Sequence, residues 1–167
     1  MTHHIIIRGQ RDGGKTTTCA VLYKELKKVA EYSKILTMSW KPIETLRLTP
    51  EGNYSDFIAV FIVKGKLIIL ISAGDIAGDL EDILNKLSDQ GFLSSVFEGR
   101  KKIDLVICCA RSRNVKGSTI RMLHERITDP NARTEFWVPE KTLSKSDAEE
   151  DKKILAKKII KYFENFN

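Results

Sequence analysis

Short apolar runs alternate with amphipathic stretches along the chain. Residues 5–7 form a β-branched run that stops at Gly9, as a buried parallel strand does. Residues 17–30 then place apolar side chains at three- and four-residue intervals, which predicts a helix with one buried face. The chain is therefore expected to open with a strand, a glycine-rich turn and a helix.

More strands follow in the first half. Residues 34–40 predict a second strand that ends at Pro42, because proline cannot donate to a sheet. Two strand-like runs, 56–63 and 66–72, flank Lys64-Gly65 and predict an antiparallel hairpin. Residues 43–54 form a long connection, and a loop of this length indicates a functional or mobile segment that would contact a substrate or close over it.

The second half continues the alternation. Residues 79–87 predict a helix with Asp79 as its N-cap and Gly91 as its stop. The apolar run 103–110 is typical of a central strand covered on both faces. The remaining elements are a helix over 118–127, a strand over 134–138 and a helix after residue 146.

This order of elements predicts an α/β fold. We expect a three-layer α/β/α sandwich built on a mostly parallel sheet with one antiparallel hairpin. A length of 167 residues suits one core, so the chain is expected to form a single domain over residues 1–167.

Composition excludes two other classes of protein. Hydrophobic residues make up 42% and charged residues 30%, which argues against a disordered chain. The longest apolar run, 67–71, is far shorter than the ~20 residues of a membrane span, so no membrane association is expected. The short run at 5–7 leads into Arg8 and does not resemble a signal peptide, and we therefore expect a cytoplasmic location.

Neither the net charge nor the cysteines indicate a particular function. The net charge of +6 is spread along the chain, and such an excess suits nucleic acid or phosphorylated ligands equally. The cysteines are odd in number and fall in apolar surroundings, so we expect reduced core thiols: Cys19, Cys108 and Cys109.

The strongest functional signal is the segment Gly9-Gln10-Arg11-Asp12-Gly13-Gly14-Lys15-Thr16. Two glycines five positions apart, followed by lysine and a hydroxyl residue, form a phosphate-binding pattern when they lie between a strand and a helix. Glycines there can take positive φ and bring backbone N–H groups close to an anion. Lys15 would place its charge on the terminal phosphates, and the Thr16 hydroxyl would bind the accompanying Mg²⁺. Thr17 would add contacts in the first helical turn.

These eight residues resemble the P-loop NTPase superfamily. The run Gly-Gly-Lys-Thr-Thr-Thr is similar to the loops of the signal-recognition and partition-ATPase branch, although Gln10 stands where the partition ATPases carry a lysine. The resemblance implies a P-loop NTPase fold, bound ATP and Mg²⁺, and a phosphate-binding set that runs from Gly9 through Gln10, Arg11, Asp12, Gly13 and Gly14 to Thr17.

The superfamily also carries an acidic residue after an apolar strand, which holds the metal. Here the run 67–71 continues through Ser72-Ala73-Gly74 to Asp75, our candidate for this catalytic and metal-binding role. The alternative is that Asp75 is a turn residue that bonds to the local backbone.

Two arginines follow the central strand. Arg111 and Arg113 would stack on a base or stabilise a transferring phosphoryl group, or they would lie in a solvated basic loop. The same segment lacks the Asn-Lys-x-Asp pattern with which small GTPases bind guanine, so ATP is favoured over GTP.

Three functions remain open. The first is a magnesium-dependent ATPase or small-molecule kinase. The second is an ATP-dependent switch or adaptor that binds a protein or DNA partner with little or no hydrolysis. The third is a degenerate domain that has kept the loop and lost its ligand.

Overall fold

The computed structural model describes residues 2–9, 15–74, 76–97, 99, 102–111, 116–138 and 145–165. Seven strands and five α-helices lie in these ranges. Their order along the chain is β1 (His3–Gly9), α1 (Lys15–Val29), β2 (Tyr32–Leu36), β3 (Pro42–Ile43), β4 (Ile58–Val63), β5 (Lys66–Ile71), α2 (Ala77–Leu87), α3 (Gln90–Val96), β6 (Leu105–Arg111), α4 (Thr119–Arg126), β7 (Arg133–Trp137) and α5 (Lys145–Glu164).

The described strands form one mixed sheet in the order β3-β2-β4-β5-β6-β1-β7. Strands β5, β6, β1 and β7 pair in parallel. Strands β3, β2, β4 and β5 pair in antiparallel fashion. Half of the pairings are therefore antiparallel.

The predicted fold class, a mostly parallel three-layer sandwich of the P-loop NTPase type, is wrong for this sheet. The hairpin of β4 and β5 was expected, but its position was not. Strand β4 lies between β2 and β5 and pairs with both, so β2 has no parallel neighbour. The two-residue β3 adds a further antiparallel edge next to β2. An apolar run indicates a buried strand but not the direction of its neighbours, which is why the pattern misled.

Helices bury both faces of the sheet. On one face, β1 presents Ile5 and Ile7 to α1 and α5, whose Leu22, Leu26 and Ile159 are buried. On the other face, the alternate residues of β1 and β6 pack against α2, α3 and α4. Strand β6 is buried along nearly its whole length, which confirms the central strand predicted over 103–110.

The β4–β5 hairpin itself is confirmed. Its turn residues, Lys64 and Gly65, have φ of 51° and 76°. Positive φ at both central positions gives the twist that joins two antiparallel strands tightly.

The segment after α2 differs from its prediction. Ile76, not Asp79, precedes α2, and the helix ends at Leu87. Asp89 begins a separate helix, α3, because its Oδ1 accepts from the backbone N–H of Gly91 at 2.9 Å and of Phe92 at 3.2 Å. Gly91 therefore lies inside a helix and does not terminate one.

A hydroxyl cluster fixes α5 to the start of β1. The Tyr162 hydroxyl lies 2.7 Å from Thr134 Oγ1 and 3.2 Å from His3 Nε2, and those two atoms lie 2.9 Å apart. His3 is buried, so this cluster supplies hydrogen-bond partners to a ring that is removed from water.

Among the described helices, none combines the length and apolar character required to cross a membrane.

Candidate phosphate-binding site

The glycine-rich segment lies between a strand and a helix, as its pattern requires. Strand β1 ends at Gly9 and α1 begins at Lys15, which confirms the two flanking elements. Gln10, Arg11, Asp12, Gly13 and Gly14 lie outside the described residues.

Lys15 folds back over the end of β1. Its side chain is only 6% exposed, and Nζ donates a hydrogen bond of 2.9 Å to the carbonyl oxygen of Gly9. The ammonium group therefore lies at the carboxyl end of the sheet, where α/β proteins bind their ligands.

Gly9 is required for close packing rather than for positive φ. It has the extended backbone of a strand residue, contrary to the expectation for the first loop glycine. A Cβ atom added there would lie 3.3 Å from Lys15 Cγ and 3.3 Å from Val138 Cβ. The missing side chain leaves room for the aliphatic part of Lys15 to lie across the strand.

Thr16 has an acidic neighbour that the sequence did not predict. Its Oγ1 lies 3.5 Å from Asp56 Oδ1, in an exposed position. Asp56 comes just before β4, and the start of an antiparallel strand lies at the same edge of the sheet as the ends of parallel strands. A carboxylate at the first residue of the run predicted as the first hairpin strand, 56–63, was the signal that could have found it.

Ser72 holds Asp56 in this position. The Ser72 hydroxyl donates to Asp56 Oδ1 at 3.3 Å and accepts from the Phe57 backbone N–H at 2.8 Å. The backbone N–H of Ser72 also donates to the Phe57 carbonyl at 3.0 Å. The position of the carboxylate is therefore fixed by hydrogen bonds at the end of the β4–β5 pair, although Asp56 ends a long connection.

The remaining candidates divide into two groups. Arg111 ends β6 and pairs in register with Gly9, so the structure brings it to the end of β1. Thr17 lies in the first turn of α1 and is partly buried. Asp75 and Arg113 lie outside the described residues.

The floor beneath the site is tightly packed and contains two thiols. Cys19 of α1 and Cys109 of β6 are fully buried, with their sulfur atoms 3.2 Å apart. The hydrogen bond between the Cys19 and Cys109 thiols, followed by burial, holds the pKa of Cys19 well above its usual value. All three cysteines are free and buried, which confirms the expected core thiols.

Protein side chains alone do not form a metal centre in the described part of the chain. No group of three or more His, Cys, Asp or Glu side chains lies together there. Thr16 and Asp56 nevertheless supply the oxygen ligands that Mg²⁺ prefers, and Mg²⁺ in nucleotide sites takes most other ligands from phosphate and water. The donor set therefore fits a metal that arrives with a phosphorylated ligand.

Comparison with protein-family models, with curated proteins and with solved structures finds no match for this chain.

Proposed function

We propose that this protein binds ATP with Mg²⁺ at the end of β1 and catalyses transfer of the terminal phosphoryl group to water or to a small acceptor. Gly9, Lys15 and Thr16 would hold the phosphates together with the loop between them. Arg111 would lie beside the same phosphates.

The observation that carries this proposal is the placement of Lys15. A lysine rarely becomes buried, because its ammonium group loses hydration. Here Nζ lies at the end of β1 and donates to the backbone carbonyl of Gly9, close to where a bound polyphosphate would add its negative charge. A point charge at that place neutralises charge that develops on the leaving phosphates.

Asp56 supports the metal-dependent part of the proposal. Mg²⁺ bound to the Thr16 hydroxyl would lie within reach of this carboxylate, directly or through a water molecule. We therefore assign to Asp56 the metal-binding role, and Asp75 remains a second candidate from its place in the sequence.

A nucleotide-dependent switch is the second candidate function, and the position of Asp56 favours it. Asp56 ends the connection between β3 and β4, in which Leu48 and Tyr54 form an isolated antiparallel bridge. Tyr54 also bonds to Lys24 of α1 at 3.0 Å. Binding of Mg²⁺ at Asp56 would change the conformation at the end of this segment, and so the contact of the segment with a protein or DNA partner.

Calorimetric titration with ATP and Mg²⁺ tests the binding step. The Lys15→Ala variant should bind ATP at least roughly tenfold more weakly, because a charge-assisted phosphate contact is lost. Lys27→Ala is the matched control, since Lys27 is exposed on the same helix and its loss changes the net charge equally. Equal binding by the two variants, or no ATP binding by the unaltered protein, would contradict the proposal.

Phosphate release then separates the two candidate functions. An ATPase releases phosphate without an acceptor, and a kinase consumes ATP faster when its acceptor is present. Asp56→Asn should weaken the Mg²⁺ dependence of ATP binding, whereas Asp79→Asn, an exposed carboxylate on α2, should not. Binding of ATP without turnover in either assay would favour the switch.

A further inference from the structure

A second site lies at the other end of β1. A cavity of about 290 Å³ opens between α2, α3, α4 and the first residues of β1 and β6. His4, at its wall, is five residues from Gly9, so the cavity is about 17 Å along the strand from the phosphate-binding loop. The two sites are therefore separate.

Aliphatic side chains form about half of the cavity wall, and polar groups form the rest. Six aliphatic side chains line it, and all are among the buried core residues: Leu84, Leu87, Leu93, Ile103, Val106 and Ile127. At about 30 Å³ for each water-sized group, the space holds about ten non-hydrogen atoms. Transfer of an apolar group of that size from water into the cavity would be favourable in free energy.

The rim carries positive charge with a fixed orientation. Arg126 lines the cavity, and its Nη1 donates to Asn85 Oδ1 at 2.7 Å while Nη2 donates to Ser88 Oγ at 3.1 Å. Both partners are neutral, and no carboxylate in the described ranges forms an ion pair with Arg126. A guanidinium has five N–H donors, so this one keeps donors for a ligand.

Two more polar groups face the same space. Lys102 adds a second cation, which is only loosely paired with Asp104 at 3.9 Å. His4 Nδ1 is buried, and the backbone of Thr2 gives the ring only a contact of less than ordinary hydrogen-bond geometry in the described part of the chain. A buried ring nitrogen with so weak a contact would gain a hydrogen bond from a ligand in the cavity.

We propose that this cavity binds a small amphiphilic carboxylate, with its apolar body among the leucines of α2 and α3 and its carboxylate at Arg126. Lys102 and His4 Nδ1 would supply further contacts to the carboxylate oxygens. A planar guanidinium matches a carboxylate geometrically, which favours this ligand over an uncharged one.

Octanoate is a suitable probe, because it has the right number of non-hydrogen atoms for the cavity. We expect it to bind the unaltered protein in a calorimetric or NMR titration, and octan-1-ol to bind at least roughly tenfold more weakly. ATP with Mg²⁺ should not displace octanoate, so the result is independent of the function proposed above.

Arg126→Gln should weaken octanoate binding by roughly tenfold or more. Arg121→Gln is the matched control, since Arg121 is an exposed arginine of α4 outside the cavity. Circular dichroism confirms that each variant is folded.

Four results would overturn the inference. These are no octanoate binding at millimolar concentration, equal affinity for octanoate and octan-1-ol, equal weakening by the two arginine variants, and displacement of octanoate by inorganic phosphate. Equal affinity for octanoate and octan-1-ol would describe an apolar cavity that does not recognise an anion. Displacement by inorganic phosphate would describe a simple anion site.

Discussion

His4 should make the stability of this protein depend on pH. Its imidazole is largely buried at the start of β1. Burial, then the nearby charges of His3 and Arg126, lower the pKa of His4 from 6.5 to about 4, and the Thr2 backbone offsets this only in part. The folded protein therefore keeps the ring neutral at pH values where the unfolded chain protonates it.

The sign and size of the effect follow from proton linkage. Because the folded pKa is depressed, the stability contributed by the neutral ring is complete above pH 6.5 and is lost as the pH falls toward 4. The full shift corresponds to about 3 kcal/mol of unfolding free energy, of which about 2 kcal/mol should be lost by pH 5.

Urea unfolding at pH 7, 6 and 5, on the unaltered protein and on His4→Gln, measures this loss. Other groups contribute to acid unfolding in both proteins, so the difference between the two pH profiles isolates His4. We expect the variant to lose about 2 kcal/mol less than the unaltered protein between pH 7 and pH 5. Parallel profiles, or an NMR titration in which the His4 ring protonates near its ordinary pKa, would refute the reasoning.

Three further predictions concern packing and reactivity. Gly74→Ala should destabilise the fold by several kcal/mol, as overpacking of a core does, because its Cβ would lie 2.0 Å from a carbonyl oxygen of β6. Gly78→Ala is the control, because its Cβ meets open space, and it should be neutral or stabilising by up to about 1 kcal/mol. Thermal unfolding measures both variants. Tyr162→Phe removes the hydroxyl of the α5 cluster and should cost about 1–2 kcal/mol in urea unfolding, and Tyr32→Phe, at an exposed ring, should cost less than about 0.5 kcal/mol. A thiol reagent at mildly alkaline pH should label none of the three cysteines until the protein unfolds, since all are fully buried, and labelling faster than unfolding would argue against this packing.

Local features of the fold were predictable because they depend on neighbours in the sequence. The β-branched run before Gly9, the apolar stripe of α1 and the Lys64-Gly65 turn each use short-range periodicity or turn chemistry, and the structure contains all three elements. The same holds for the buried strand β6.

The candidate site was predictable only in part. Its glycine-rich segment is contiguous, so the pattern places Gly9, Lys15 and Thr16 together without knowledge of the fold. Asp56 is forty residues from Thr16 in the sequence, and only the pairing of β4 with β5 brings its carboxylate to within 3.5 Å of that hydroxyl.

The sequence by itself therefore determined most of the strands and helices and the contiguous segment that we propose binds phosphate. The tertiary structure decided the direction of pairing, because β4 lies between β2 and β5 and excludes a parallel partner there. It also decided the lining of the cavity at Arg126, which comes from five separate elements. Such outcomes depend on competition between distant segments for the same neighbours, and a local pattern of apolar and polar residues does not carry that information.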